Sequence, residues 1–240
     1  MSDPPPWKVL LPVRALESEP LTPGLLELLA PIPAVVVGYH VSPEQTSPEQ
    51  ARSQFEARAR PAVDEMVAAA IEAGGTVESR LVFTPSERKT IDRMTTEADC
   101  NVLLLPKPVD DVERLLVAVR GEVNADRLAD FVATVAANGD LEITILHVAR
   151  SDGGRDDGTR LTGAVASALV ESGLDPAAVH ESVVVDPSPL AKILAEAEAH
   201  DALIVGESGR SLRSFAFGPL SERIANRSVG PVFVVGGDRG

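Results

Sequence analysis

Apolar residues along this chain fall in short runs of about four to seven, rich in Val, Leu and Ile and bounded by Gly, Pro or charged residues. Runs of that length without polar alternation read as parallel strands buried on both faces. The segments between them carry a helical pattern. "SPEQARSQFEARARPAVDEMVAAAIEAGG" predicts a helix with Ser47 as N-cap and Pro48 at the first position, stopping at Gly74-Gly75. "NADRLADFVATVAANGD" predicts another that opens on Asn124, presents Leu128, Phe131, Val132 and Val135 along one side, and ends at Asn138-Gly139. Strands alternating with helices imply right-handed βαβ units, hence an α/β fold with a doubly wound parallel sheet and helices on both faces.

The pattern occurs twice. "KVLLPVR" (Lys8 to Arg14) is answered by "RLLVAVR" (Arg114 to Arg120), and "AVVVGYHV" (Ala34 to Val41) by "EITILHVA" (Glu142 to Ala149). "VESRLVFTPSERKTIDRM" (Val77 to Met94) is answered by "HESVVVDPSPLAKILAEA" (His180 to Ala197), and "NVLLLP" (Asn101 to Pro106) by "ALIVGE" (Ala202 to Glu207), at a spacing of roughly 100 residues. Two domain-sized units follow: 1–110, degenerate, and 111–240, complete. The first passes from its fourth strand through "KPVDD" straight into the second copy, so it lacks the last βα unit. Its early helix, in the proline-rich stretch 15–33, has room for about two turns. The second copy ends on the apolar strand "PVFVV" (Pro231 to Val235), an edge that calls either for a homodimer or for cover by the first half as an internal pseudo-dimer.

Charge narrows the partners. With 36 acidic against 22 basic residues the formal net charge is −14, which argues against nucleic acid. No stretch approaches the roughly 20 apolar residues that span a bilayer, and the start, "MSDPPPWKVLLPV", lacks the features of a signal peptide, so a cytoplasmic protein without direct membrane insertion is expected. The single cysteine, Cys100, precedes an apolar run and reads as a buried structural thiol. His40, His147, His180 and His200 show no paired spacing for a metal and no adjacent nucleophile; His147 reads as a packed strand residue. Neither metal nor enzymatic activity is expected.

In open α/β sheets ligands bind beyond the carboxyl ends of the strands, where strand order reverses. In the second copy that places Arg120, Val148, Asp186 to Ser188 and Gly206 at the crevice. The stretch "GESGRSLRSFAFGPLSERIA" adds Gly206, Gly209 and Gly218, whose lack of a Cβ suits a phosphate cradle, followed by a helix starting at Pro219. Between Arg210 and Arg227, four arginines (210, 213, 223, 227) against one acid, Glu222, make the chain locally basic. It is not a Walker A loop, since no lysine follows the glycines.

The duplicated order, "LHV" at Leu146 to Val148, "DPSPLAKILAEAEAHDALIVGESG" and the ending "GPLSERIANRSVGPVFVV" resemble a tandem universal stress protein. Nucleotide-binding members carry G-x2-G-x9-G-(Ser/Thr) after the fourth strand, and Gly206, Gly209 and Gly218 match its glycines. The resemblance implies a nucleotide or anion site on Arg120, Val148, Gly206, Gly209, Arg210, Gly218, Leu220 and Ser221, with ATP or another adenine nucleotide as ligand. Three departures weaken ATP. Eight residues, 210–217, separate Gly209 from Gly218; Pro219 stands where the pattern has a small hydroxyl residue; and Arg120 stands where nucleotide-binding members end the first strand on aspartate. The expected function is therefore a non-enzymatic stress-response or regulatory role, with any ligand site confined to the second half. The resemblance also implies a membrane transporter as partner. The alternatives are an ATP-binding phosphotransfer or slow ATP-hydrolysing protein, with Ser221 or Ser208 receiving phosphate, and a purely structural interaction module.

Overall fold

The computed structural model of the chain describes residues 7–17, 19–43, 45–121, 124–206 and 227–236. In chain order its elements are β1 (Val9–Arg14), α1 (Pro23–Leu29), β2 (Ala34–Val41), α2 (Pro48–Glu72), β3 (Val77–Thr84), α3 (Glu87–Glu97), β4 (Val102–Leu105), β5 (Arg114–Val119), α4 (Ala125–Val135), β6 (Glu142–Ala149), α5 (Arg155–Glu171), β7 (Val179–Val185), α6 (Pro189–Ala197), β8 (Ala202–Gly206) and β9 (Val232–Val235). The boundaries follow local chemistry. The Ser47 hydroxyl accepts from the Gln50 N–H while the Gln50 side chain accepts from the Ser47 N–H, a capping box that starts α2. Asn124 caps α4 by accepting from the Arg127 N–H, and α1 holds seven residues, the two turns its prolines permit.

The strands lie in one sheet in the order β3-β2-β1-β4-β9-β8-β5-β6-β7. Every pairing is parallel except β4 with β9, which is antiparallel over four residues from Val102↔Val235 to Leu105↔Val232. The two repeat sheets are thus joined into one, and the antiparallel seam sets the carboxyl ends of their strands at opposite edges. β9 is covered by the first half. The central strands are buried on both faces, as their unbroken apolar runs require, whereas the outer strands β3 and β7 are half-exposed and carry Glu78, Arg80, His180 and Glu181. Alternate residues feed two cores. Val9, Leu11 and Val13 face α1, α2, α4 and α5, while Leu10, Leu103 and Leu116 face α3 and α6. Cys100 lies buried beside the second core, and burial pushes its thiol up to about 11.

Strand pairing also corrects the repeat alignment. Val9 and Leu115 are equivalent, as read from sequence, but the sheet then equates Ala34 with Ile143, Val77 with Val179, and Val102 with Ala202, each one residue from the sequence reading. A continuous apolar run leaves a one-residue slip open, and backbone pairing decides it. The corrected register puts "TPS" (Thr84 to Ser86) on "DPS" (Asp186 to Ser188). The local bonds agree: the Thr84 hydroxyl accepts from the Ser86 N–H at 3.1 Å, and the Asp186 carboxylate from the Ser188 N–H at 2.7 Å.

Candidate functional site

In the second half the chain leaves β5 toward β6 on one side and β8 on the other, so strand order reverses at β5. Val119 pairs with Gly206, the last residue of β8, and the β5–β6 register, carried on from Ala118↔Leu146, sets Val148 level with Arg120. Arg120, Val148 and Gly206 therefore lie side by side at the carboxyl edge of β5, β6 and β8. Val148 is buried and Arg120 is exposed at the mouth, where Gly121 follows with φ +68° to turn the chain away. The other sequence-derived positions, Gly209, Arg210, Gly218, Leu220 and Ser221, lie outside the described residues, as do Ser208 and Pro219.

His147 closes the β5–β6 ladder. Its Nδ1 lies 3.1 Å from the Val119 carbonyl oxygen; a carbonyl only accepts, so Nδ1 carries a proton and is the donor. A Cβ on Gly158 would lie 2.6 Å from the His147 ring, so helix α5 presses directly on it. Packing and a backbone bond account for this histidine, as the sequence reading expects. Among the described residues no group of three or more His, Cys, Asp or Glu is placed to hold a metal ion.

The corresponding crevice of the first half was not anticipated. Arg14 occupies the place of Arg120, Tyr39 that of Val148, and Pro106 that of Gly206. A cavity of about 510 Å³ opens there at the carboxyl ends of β1 and β4, lined in part by Val13, Leu25, Ile91, Leu105 and Val232. On its wall the Arg14 guanidinium contacts Glu17 and Glu87, each at 3.3 Å, and its Nε donates to the Tyr39 hydroxyl at 3.4 Å. Those hydrogen bonds, Tyr39 first and Glu17 second, raise the guanidinium well above its ordinary value and keep it charged. Tyr39 is only 4% exposed, and burial, reinforced by Glu87, pushes its hydroxyl up. A ligand-sized crevice is thus present in the half where none was expected. Its signal in the sequence is the recurrence of arginine at the end of the first strand of both copies.

A model of the universal stress protein family matches residues 111–236. No curated protein matches the chain. Among solved structures, a universal stress protein from Archaeoglobus fulgidus DSM 4304 is 18% identical over 97% of this chain and 97% of its own, with a TM-score of 0.63. A functionally unknown protein from Pseudomonas aeruginosa PAO1 is 13% identical over 96% of this chain and 92% of its own, with a TM-score of 0.55. A universal stress protein from Archaeoglobus fulgidus in complex with dAMP is 17% identical over 51% of this chain and 97% of its own, with a TM-score of 0.42. At such identities the two longer matches speak for the fold alone. The family match spans more than half of the sequence, and with it the chain belongs to the universal stress protein family.

Proposed function

We propose that this chain is a non-enzymatic regulatory member of its family whose second half binds a phosphate-type anion at the crevice of β5, β6 and β8. One observation carries the reading: the exposed Arg120 stands at the reversal of strand order, level with Val148 and beside Gly206. A guanidinium there favours an anion and cannot accept the ribose hydrogen bonds that a carboxylate accepts. In the sequence, Pro219 further withholds one N–H and one hydroxyl from the glycine loop. Each lost bond to a charged group costs about 1.5 to 3 kcal/mol, so two losses weaken ATP by roughly two to four powers of ten.

Calorimetry with ATP and with inorganic phosphate on the whole chain tests this. Phosphate should bind saturably and lose its binding in Arg120→Asp, while ATP should bind more weakly than micromolar and gain affinity in Pro219→Ser. Micromolar or tighter ATP binding by the unmodified chain would overturn the preference. Sustained ATP turnover, or stoichiometric phosphate on Ser208 or Ser221, would instead establish the phosphotransfer alternative.

A further inference from the structure

We propose that the crevice of the first half is a second ligand site with the opposite charge preference, taking a small organic cation with an apolar body. Its volume, about 510 Å³, falls within the roughly 300 to 1,000 Å³ of small-molecule pockets, which combine an apolar lining with a few convergent polar groups. Val13, Leu25, Ile91, Leu105 and Val232 supply the first, and the cluster of Glu17, Arg14, Glu87 and Tyr39 the second. The same four residues also wall a neighbouring hollow of about 290 Å³, so open space approaches the cluster from two sides.

An anion is disfavoured here on three counts. After β4 the chain reads Pro106-Lys107-Pro108, and two prolines in three residues cannot present a cradle of N–H groups. Arg14 is already engaged by two carboxylates. Among the described residues of the lining, Arg14 and Lys107 face Glu17, Glu19 and Glu87, which leaves one negative charge in excess. An ammonium group supplies the missing positive charge. An ionised carboxylate offers about four acceptor sites, so Glu17, bonded to Arg14, and Glu87, bonded to Arg14 and Tyr39, keep acceptor capacity for an incoming N–H. The apolar body of such a ligand then rests on Leu25, Ile91 and Leu105.

Phenethylamine is a suitable probe, with 2-phenylethanol as its neutral and 3-phenylpropanoate as its anionic counterpart. Tyr39, the sole tyrosine of the chain, reports occupancy through its ring resonances. The amine should shift them saturably and bind at least about tenfold more tightly than the alcohol, the ratio one charge-assisted hydrogen bond supplies, while the acid should not bind. In Glu17→Gln/Glu87→Gln, both partly exposed positions, the preference for amine over alcohol should vanish. Leu105→Trp, which fills the cavity, should weaken amine and alcohol together, and Arg120→Asp should change neither. The proposal is overturned by equal binding of acid and amine, by the absence of a saturable amine shift, or by unchanged amine binding in the paired glutamine variant or in Leu105→Trp.

Discussion

A buried phenol held between a guanidinium and a carboxylate is a residue-scale device whose consequences are measurable. Burial and Glu87 raise the Tyr39 hydroxyl above its ordinary value of about 10, while Arg14 pulls it partly back. The folded chain therefore keeps the phenol proton at a pH where the unfolded chain has released it. In that window the unfolded state binds fewer protons, so stability falls as pH rises past about 10, and below it Tyr39 adds no pH dependence. Cys100, pushed up to about 11, acts in the same sense from about pH 9 upward. Urea midpoints across the alkaline range should decline in the unmodified chain and decline less in Tyr39→Phe, with Cys100 accounting for part of the remainder; identical declines would show that Tyr39 titrates normally. The arginines at 14 and 120 were legible as residues, because each closes a copy of the same strand. Tyr39 was not, because the sequence alignment of the copies sets it opposite His147, and only strand pairing brings it level with Val148.

At the scale of elements, strands and helices follow from composition and caps, and their order from the alternation of the two. Ser47, Asn124 and the glycines after α2 marked helix ends because each residue type satisfies end groups that the helix itself cannot. Register was the illegible part, since apolar runs such as "AVVVGY" and "EITILH" pack equally well on paper when slipped by one residue. The first-half cavity was hidden for a related reason: its wall draws on the segment before α1, on β1, on β2, on α3 and on the chain after β4, which no local motif groups together. Close approach of elements is likewise a tertiary fact. α2 crosses β2 at Gly38, where an added Cβ would lie 2.3 Å from a Val63 methyl that is itself buried. Gly38→Ala should therefore cost about 1 to 3 kcal/mol by overpacking. Gly38→Ala/Val63→Ala should cost less than the sum of the two single changes, because truncating Val63 vacates the space the new methyl needs. Additive costs in denaturant unfolding would mean that α2 shifts as a body instead.

For the whole molecule the decisive feature is the seam between β4 and β9. The loss of a fifth strand from the first half would leave β4 as an open edge, and the apolar β9 would be another; each covers the other along four residue pairs. The bond from the Gly236 N–H to the Asn101 carbonyl continues the seam, and Asn101 also accepts the Lys8 N–H through its side chain. On the face of α4 the two halves are pinned again. Trp7, just before β1, donates from Nε1 to Asp130 at 2.6 Å, meets Phe131 edge-on at a centroid distance of 5.1 Å, and lies 4.5 Å beneath the Arg127 guanidinium. Phe131 in turn packs on Phe233 of β9. The edges that remain, β3 and β7, are charged and half-exposed, which disfavours pairing with a second chain. Light scattering should accordingly return the mass of one chain. Unfolding should be a single transition, with the fluorescence of Trp7, the only tryptophan, coincident with the loss of helical circular dichroism from both halves. Asp130→Ala should leave the indole N–H without its partner and lower the midpoint, by about 1 to 3 kcal/mol in stability, without separating the two signals. A dimer in solution, or a Trp7 transition that precedes the circular dichroism change, would mean that the seam does not unite the halves and that the apolar edge of β9 is satisfied by another copy.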